Sequence, residues 1–365
     1  MTDLLEPLAL IKYRFKPERE GEHAYTGISQ SATREMALCA ELSHTNVIQH
    51  IETILQDKSI FMVFQYCEHD LLQLIHHHTQ NPRHLMREST VRSILYELLQ
   101  GCDYLHTNWV MHRDLKPANI MVNSAGQVMI GDLGLARIFR EPLVPLYSGD
   151  KVVVTIWYRA PELLLGGKHY TPAVDLWAIG CIFAELLSLK PIFKGEEAKM
   201  DNKKTVPFQM NQMQKIVEVL GMPDERNWPQ IRFYPEYHQL ASMKALHLSH
   251  APPPPSSGLG TWYNQTLSTR QWSPDGSLAE EGWSLLSGLL NYNPETRLTA
   301  RQALNHPYFT RKLPSSNCFE GLLIPYPRRK ITQEDSLGNK GSGTKRSGFP
   351  DDSLTVRPAK RLKEG

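Results

Sequence analysis

Three short motifs rich in charged and amide side chains follow one another between residues 111 and 162. The first, Met-His-Arg-Asp-Leu-Lys-Pro-Ala-Asn, ends at Asn119, the second is Asp132-Leu133-Gly134, and the third is Ala160-Pro161-Glu162. Between the first and second motifs, an Asn-Ser-Ala-Gly turn signal at 123–126 is flanked by two apolar triplets, which predicts a β-hairpin. Such a hairpin would bring Asn119 and Asp132, at its two ends, to one side of the fold.

The first two motifs suit the transfer of a phosphoryl group to a hydroxyl group. That reaction requires a carboxylate that orients the hydroxyl and accepts its proton, and hard oxygen ligands for magnesium at the phosphates. Asp114 fits the first role, and Asn119 and Asp132 fit the second as metal ligands. The three motifs in this order are typical of the catalytic core of protein kinases, which the chain therefore resembles. The resemblance implies ATP and magnesium as cofactors.

Two further residues of this region indicate the kind of hydroxyl group that is phosphorylated. Lys116 follows Asp114 by two positions, which resembles the serine/threonine kinases rather than the tyrosine kinases, and its cation can offset charge on the transferred group. The resemblance also implies that Thr155 hydrogen-bonds near these two residues in the catalytic site. Val154 and Arg159 match the family positions that shape a pocket for proline after the phosphorylated residue.

Length and composition allow one domain of ordinary globular character. The chain has 365 residues, 41% of them hydrophobic, and a formal net charge of +2, so one two-lobed domain of about 300 residues fits with a remainder. Its five cysteines are scattered and form no Cys-x-x-Cys pair, which predicts free thiols in a reducing compartment. Neither a secretory signal nor a membrane-spanning apolar run is recognisable, and the balanced charge gives no reason to expect direct nucleic-acid binding.

The kinase resemblance implies an α+β fold with two lobes. We expect an incomplete amino-terminal β lobe at 1–66, a mainly helical carboxy-terminal lobe at 67–309, and a mostly disordered tail with a basic cluster at 310–365. The amino-terminal lobe is incomplete because no Gly-x-Gly-x-x-Gly motif precedes the catalytic core, where kinases carry a loop that covers the ATP phosphates. Either the chain lacks this loop or its start is incomplete.

The lysine that binds the ATP phosphates in kinases has one candidate here, with an alternative. Lys12 ends the apolar run Leu8–Ile11 and precedes a helix in which Glu35 would pair with it. Aligning the strand backwards from Phe15-Lys16-Pro17 instead places Tyr13 at the lysine position, which would make Lys12 an exposed residue at a strand end.

The adenine pocket is predicted from the apolar run Ile60–Phe64, which reads as a buried strand. The resemblance implies that Phe64 is the gatekeeper behind adenine, that Tyr66 and Cys67 form the hinge, and that Asp70 contacts the ribose. The helix beginning there ends in three histidines at 76–78. Three consecutive histidines cannot all face one metal from a helix, so we expect a solvated helix end.

The helix that carries Glu35 also indicates a partner. Its Ser-Gln-Ser-Ala-Thr-Arg-Glu sequence at 29–35 resembles the cyclin-binding helix of cyclin-dependent kinases, in particular those of the Mediator kinase module that pair with cyclin C. The resemblance implies a nuclear serine/threonine kinase that regulates transcription. Its expected substrates are Ser/Thr-Pro sites in the RNA polymerase II carboxy-terminal repeats and in transcription factors, and its other expected partners are further Mediator kinase-module subunits.

The activation segment departs from the cyclin-dependent kinase pattern at one position. Asp150 stands where the family has a phosphorylated threonine, while Arg34, Arg113 and Arg137 match the arginines that hold that phosphate. Asp150 either supplies a permanent negative charge in place of the phosphate or is an ordinary turn residue. Leu133 is a second departure, since it replaces the usual phenylalanine of Asp-Phe-Gly and so loses an aromatic ring.

Three more expectations concern structure and localisation. Asp175 should hold the main chain of the catalytic loop, and Arg297 should pair with Glu162, because buried charges are expected to be paired. The basic clusters of the tail, at 345–346 and 358–363, are either a nuclear import signal or a solvated end. A rival to the enzyme is a kinase-fold scaffold that binds cyclin and Mediator subunits without catalysis, which the missing glycine-rich loop motivates.

Overall fold

The computed structural model describes residues 8–14, 30–56, 59–81, 86–139, 156–168, 171–198, 207–249, 258–272, 278, 280–320 and 326. Of residues 12–14, 30, 31 and 244–249 it describes the main chain. Thr155, Asp150, Val154 and the basic clusters of the tail lie outside these ranges.

In its described residues, the amino-terminal lobe has one sheet and one helix. Strands β1 (Leu8–Arg14), β2 (His50–Gln56) and β3 (Ser59–Gln65) form an antiparallel sheet in the order β1-β3-β2. Helix α1 (Gln30–Glu41) lies between β1 and β2 in sequence, and its apolar residues Leu38 and Cys39, with Leu42 just after it, face the core. The run predicted as a buried strand is β3, of which five residues are buried.

The carboxy-terminal lobe is mainly helical. It begins with strand β4 (His69–Asp70), helix α2 (Leu71–Gln80) and the long helix α3 (Glu88–Thr107), which leads into the catalytic loop. Two strand pairs follow, and then the remaining helices. These elements are β5 (Val110–Met111), β6 (Ile120–Val122), β7 (Val128–Ile130), β8 (Arg137–Ile138), α4 (Pro161–Leu164), α5 (Ala173–Ser188), α6 (Met210–Leu220), α7 (Tyr237–Ser249), α8 (Leu259–Thr269), α9 (Glu281–Leu289), α10 (Ala300–Leu304) and α11 (Pro307–Thr310).

The core is organised around α5. This helix is predominantly apolar around its circumference and buries every residue from Val174 to Leu187, including Asp175 and Glu185, so it lies inside the lobe rather than on its surface. Gly180 lets it approach α9, since a methyl group there would lie 2.8 Å from the side chain of Leu290. No helix among the described residues is long and apolar enough to cross a membrane. The five cysteines are all free and buried.

Two features of the carboxy-terminal lobe were not expected from the sequence. Beyond residue 309, the expected end of the domain, a further segment packs against the lobe, and its residues Cys318, Phe319 and Tyr326 are buried. The histidine run, in addition, is not simply a solvated helix end. Although His76 is exposed, His78 is buried and its Nε2 lies 2.9 Å from the hydroxyl of Tyr326. The sequence pattern predicts neither feature, because in each case the contacting residues lie far apart in the sequence.

The expected α+β architecture is confirmed.

Candidate active site

A buried carboxylate of α5 anchors the main chain of the catalytic loop. Asp175 accepts hydrogen bonds from the main-chain nitrogens of His112 (2.9 Å) and Arg113 (2.8 Å), and from His106 Nε2 (2.8 Å). Burial alone would raise the pKa of Asp175, but the hydrogen bond and the charge of His106 hold it below its usual value. These bonds support a strained backbone, since Arg113 has a φ of 68°. The predicted role of Asp175 is confirmed.

Asp114 is held by two side chains of its own loop. Its Oδ2 accepts hydrogen bonds from Lys116 Nζ at 2.9 Å and from Asn119 Nδ2 at 3.1 Å, and Asn119 Nδ2 also donates to the Asp114 main-chain oxygen at 2.8 Å. Burial raises the pKa of Asp114, although the charge and hydrogen bond of Lys116 oppose the rise. A carboxylate with a raised pKa is a better proton acceptor for an alcohol.

Two oxygens at the centre of this cluster have no hydrogen-bond partner among the residues that the structure describes. Asp114 Oδ1 and Asn119 Oδ1 are both buried, and the structure gives neither a donor. Unpartnered buried oxygens are uncommon in folded proteins, because each one costs free energy. One suits a hydroxyl group that gives up its proton, and the other suits a cation. These two oxygens therefore fit the predicted transfer of a phosphoryl group to a hydroxyl group in the presence of magnesium.

The predicted hairpin is present and carries the second metal-ligand candidate. Strands β6 and β7 pair from Ile120 opposite Ile130, and the Gly131 nitrogen donates to the Asn119 main-chain oxygen at 2.8 Å. Asp132 follows in the left-handed region (φ 60°, ψ 74°), a conformation that turns the chain sharply at the end of β7. Asn119 and Asp132 are thus brought together and would hold magnesium, which neutralises charge on the ATP phosphates when bound.

His112 joins the two halves of the site and was not among the predicted site residues. Its Nδ1 lies 3.2 Å from the Asp114 nitrogen, which is a donor, and its Nε2 lies 2.9 Å from the Gly131 oxygen, which is an acceptor. These bonds assign the proton to Nε2 of a neutral ring. The fully buried ring therefore links the catalytic loop to the residue before Asp132. The sequence signal that could have identified this role is the position of His112, two residues before Asp114.

Two consecutive residues of helix α1, Arg34 and Glu35, lie next to this site. Glu35 is 3% exposed, and a methyl group built on Gly134 would lie 3.4 Å from its carboxylate and 3.2 Å from Asp132 Oδ1. Arg34 donates from Nη1 to the Gly134 main-chain oxygen at 3.1 Å. The helix whose sequence resembles a cyclin-binding helix is therefore hydrogen-bonded to the segment that bears the metal-ligand candidate Asp132.

The pairing of β1 with β3 indicates which face of the sheet each β1 position occupies. Ala9 is paired with the gatekeeper candidate Phe64 and packs against the core, whereas Leu10 is 63% exposed. Since successive strand residues alternate between faces, position 12 belongs to the exposed face and position 13 to the face of Phe64. The register thus favours Tyr13 over Lys12 at the lysine position. The side chain of Lys12 lies outside the described residues, and its role stays a prediction.

The predicted adenine and ribose contacts lie along one stretch of chain. Phe64 and Cys67 are 4% and 2% exposed, Tyr66 is half-buried between them, and Cys67 packs with Met121 and Met129 of the hairpin. Asp70 has a structural role that was not predicted, because its two oxygens accept from the main-chain and side-chain nitrogens of Gln73, each at 2.9 Å, and cap α2. The nucleotide contacts of these residues stay predictions.

Arg297 pairs with Glu162 of the third motif, as expected. Arg297 donates to both oxygens of Glu162, at 2.7 and 3.0 Å, and both side chains are buried. Three main-chain oxygens, those of Asn291, Tyr292 and Ala173, accept its other hydrogen bonds. This arrangement fixes the end of the activation segment against the helical lobe.

Among the described residues, one group of potential metal ligands lies beside the site. Cys102, His106 and Asp175 have donor atoms within 4.8 Å of one another. The Asp175 oxygens already accept three hydrogen bonds, and burial raises the pKa of the Cys102 thiol. The hydrogen bonds that anchor the catalytic loop to Asp175 therefore account for this cluster.

Comparisons with known proteins agree with this chemistry. The family described as "Protein kinase domain" matches residues 10–309. A protein of Phaeosphaeria nodorum named serine/threonine-protein kinase SSN3 is 64% identical over 360 residues, covering 96% of this chain and 81% of that protein. A protein of the same name from Emericella nidulans is 62% identical, covering 96% and 84%.

A solved structure resembles the fold as well. The crystal structure of the yeast RNA Pol II CTD kinase CTDK-1 complex has a TM-score of 0.63 and 26% sequence identity, and the match covers 84% of this chain and 86% of that chain. The three motifs, their geometry and these relatives agree, and the chain belongs to the protein kinase family as a serine/threonine protein kinase.

Proposed function

We propose that this kinase is a cyclin-dependent kinase of the Mediator complex with a cyclin C-like activating subunit. Its substrates are Ser/Thr-Pro sites, such as those of the RNA polymerase II carboxy-terminal repeats and transcription factors, and it transfers the γ-phosphate of magnesium ATP. It works in the nucleus, together with other Mediator kinase-module subunits, to regulate transcription.

The hydrogen bond between Arg34 and the Gly134 main-chain oxygen carries this proposal. It joins α1, the helix with the cyclin-binding sequence, to the segment that bears Asp132. A subunit that docks on α1 therefore acts on the metal site through one direct contact. The name of the structural neighbour, a CTD kinase complex, supports a substrate of the same class.

Phosphotransfer by the purified chain mixed with a cyclin C subunit tests the proposal. The substrate is a peptide of Ser-Pro repeats, and a matched peptide carries alanine in place of each proline. We expect magnesium-dependent phosphorylation of the first peptide, at least tenfold faster with the cyclin than without it. An Asp132→Asn variant should be inactive, because the metal-binding carboxylate is lost. Equal rates with and without the cyclin would reject the cyclin-dependent assignment.

A scaffold without catalysis is the second candidate function. The β1 register favours it, since the position on the face of Phe64 is Tyr13, and a tyrosine supplies no cation to the phosphates. A scaffold binds the cyclin subunit as tightly as an enzyme does but shows no phosphotransfer. Co-purification with the cyclin, measured beside the activity assay, separates the two functions.

Nuclear localisation is tested through the basic tail. We propose that the cluster at 358–363 acts as an import signal. The variant with Lys360→Ala, Arg361→Ala and Lys363→Ala should then shift a fluorescently tagged chain from the nucleus to the cytoplasm. An unchanged nuclear signal would show that the cluster is not the import signal.

A further inference from the structure

A short segment after the last helix packs against the hairpin that carries the metal-ligand candidates. We call residues 315–320 together with Tyr326 the strap. The Cys318 nitrogen donates to the Gly126 main-chain oxygen at 2.9 Å, and the Ser315 nitrogen donates to Ser93 Oγ of α3 at 3.0 Å. Gly126 lies in the turn between β6 and β7, so the strap is bonded to the tip of that hairpin.

The contact at Gly126 leaves no room for a side chain. A methyl group there would lie 2.0 Å from Asn317 Oδ1, and the φ of Gly126 is 76°. Asn317 Oδ1 in turn accepts from the Phe319 nitrogen at 2.8 Å, so the strap is folded at the contact. The turn and the strap therefore fit each other closely.

The other end of the strap is held by an aromatic cage. Tyr326 is 6% exposed, and its ring centroid lies 5.3 Å from that of Phe319, 5.3 Å from that of His77 and 5.5 Å from that of His78. Its hydroxyl lies 2.9 Å from His78 Nε2. Two rings of the cage, His77 and His78, belong to α2, whose N-cap is Asp70, so this end of the strap is attached to the helix that follows the hinge.

His69 connects the cage to the hairpin. Its ring is 3% exposed and lies edge-on to Phe319, with 5.8 Å between the ring centroids. His69 is the first residue of β4, which pairs with β6 through His69 opposite Val122 and Asp70 opposite Met121. Both contacts of the strap thus lead to one structure, the β4-β6-β7 sheet, next to which lie the candidate residues Asp70, Asn119 and Asp132.

We propose that the strap is a positioning element for the nucleotide site. By holding the hairpin tip at Gly126 and the cage beside β4, it fixes the β4-β6-β7 sheet, whose ends present Asn119, Asp132 and Asp70. Tyr326 is its principal positioning residue. The inference rests on the kinase reaction, and it is independent of the cyclin and the substrates proposed above.

Variants of the cage in the full-length chain test the strap. Tyr326→Ala empties the cage, Tyr326→Phe keeps the ring and loses one hydrogen bond, and Leu313→Ala is the matched control because Leu313 is 83% exposed. Two quantities are measured, the Kd of magnesium ATP and the hydrogen exchange of main-chain amides in residues 119–132. Exchange in α5 serves as an internal check that the domain remains folded.

We expect Tyr326→Ala to raise the Kd of magnesium ATP about three- to tenfold, less than the roughly 10- to 100-fold that residues bonded directly to metal ligands contribute, because Tyr326 acts through the sheet. Exchange in 119–132 should become faster, and the KM for a peptide substrate should not change. Tyr326→Phe should show smaller changes of the same kind, and Leu313→Ala should show none. An unchanged Kd and unchanged exchange in Tyr326→Ala, with α5 intact, would overturn the proposal even if the melting temperature fell.

The test remains decisive if catalysis fails. Should the unmodified chain bind no ATP, the proposed activity would be wrong, and the exchange measurement alone would decide the role of the strap. Faster exchange in 119–132 on removal of the Tyr326 ring would then support the positioning role. The same exchange as in the unmodified chain would reject it.

Discussion

The side-chain amide of Asn119 donates two hydrogen bonds to Asp114, one to its main-chain oxygen at 2.8 Å and one to its carboxylate Oδ2 at 3.1 Å. The relationship fixes the direction of both side chains. It leaves one oxygen of each, Asp114 Oδ1 and Asn119 Oδ1, buried and without a donor from the described part of the chain. One amide group therefore positions both the candidate base, Asp114, and a candidate metal ligand, Asn119.

Replacing Asn119 should therefore damage catalysis more than stability. Asn119→Ala removes an oxygen expected to bind the metal and a donor to Asp114, and we expect the rate of phosphotransfer to fall by about 10²-fold or more. Asn305→Ala is the matched control, because Asn305 is exposed at the end of α10. Initial rates at several magnesium concentrations measure the effect. A loss of less than about threefold would contradict the assigned role.

Substitutions in β1 distinguish Tyr13 from Lys12 at the lysine position. Because the register places position 13 on the face of Phe64, Tyr13→Lys should introduce a cation at the phosphates and raise phosphotransfer by about tenfold or more. Lys12→Ala should change the rate less than twofold, since it lies on the face of the exposed Leu10. A large loss in Lys12→Ala with no gain in Tyr13→Lys would restore Lys12 as the phosphate-binding residue.

The buried pair of Arg297 and Glu162 should be sensitive to even a conservative change. Arg297→Lys retains the charge but cannot reproduce the two parallel bonds and the three main-chain bonds of the guanidinium. We expect a loss of about 3 kcal/mol in the free energy of unfolding, measured with urea. Arg301→Lys, in a pair with Asp103 whose arginine is 69% exposed, should lose less than about 1 kcal/mol. Similar losses in both variants would contradict the argument.

Two buried glutamates should make stability fall as pH rises toward neutrality. Burial raises the pKa of Glu97 and of Glu185 from 4.5 to about 7, so the folded state binds protons that the unfolded state has released between these pH values. The stabilisation from protonation is present in full below about pH 4.5 and is lost as pH passes about 7.

Isosteric variants isolate this contribution. Glu97→Gln keeps an acceptor for the Val128 nitrogen and Glu185→Gln keeps one for the Tyr158 hydroxyl, without a charge to ionise. Each variant should lose less stability than the unmodified chain between pH 5 and pH 8, by roughly 1–3 kcal/mol for each group. Unfolding curves at the two pH values measure this, and parallel pH profiles would contradict the prediction.

A methyl group on α3 should disturb the connection between the lobes. At Gly101 it would lie 2.5 Å from the main-chain oxygen of Asn46, in the segment between α1 and β2. We expect Gly101→Ala to cost about 1–3 kcal/mol through overpacking, and to reduce activity because α1 must move. Gly260→Ala in α8, where the nearest atom is 3.6 Å away, should be neutral or stabilising. Thermal unfolding of both variants provides the comparison.

Much of the catalytic site followed from local sequence. The Asn-Ser-Ala-Gly turn between apolar triplets predicted the β6-β7 hairpin, and the hairpin alone accounts for the meeting of Asn119 and Asp132. The roles of Asp175 and the pairing of Arg297 with Glu162 were expected from motif resemblance, and the observed hydrogen bonds confirm both. These features were predictable because each participating residue stands in a short, recognisable sequence pattern, even where its partner is distant in the chain.

Other features depended on contacts between distant parts of the chain. The apolar run before Lys12 is compatible with two strand alignments, and only pairing with β3 assigns positions 12 and 13 to opposite faces. The histidine run reads as a polar helix end until Tyr326, 248 residues away, buries His78. The sequence by itself determined the chemistry of the site, because catalytic motifs are local. Tertiary structure decided which side chains face it and what supports it, because burial and strand register are properties of packing.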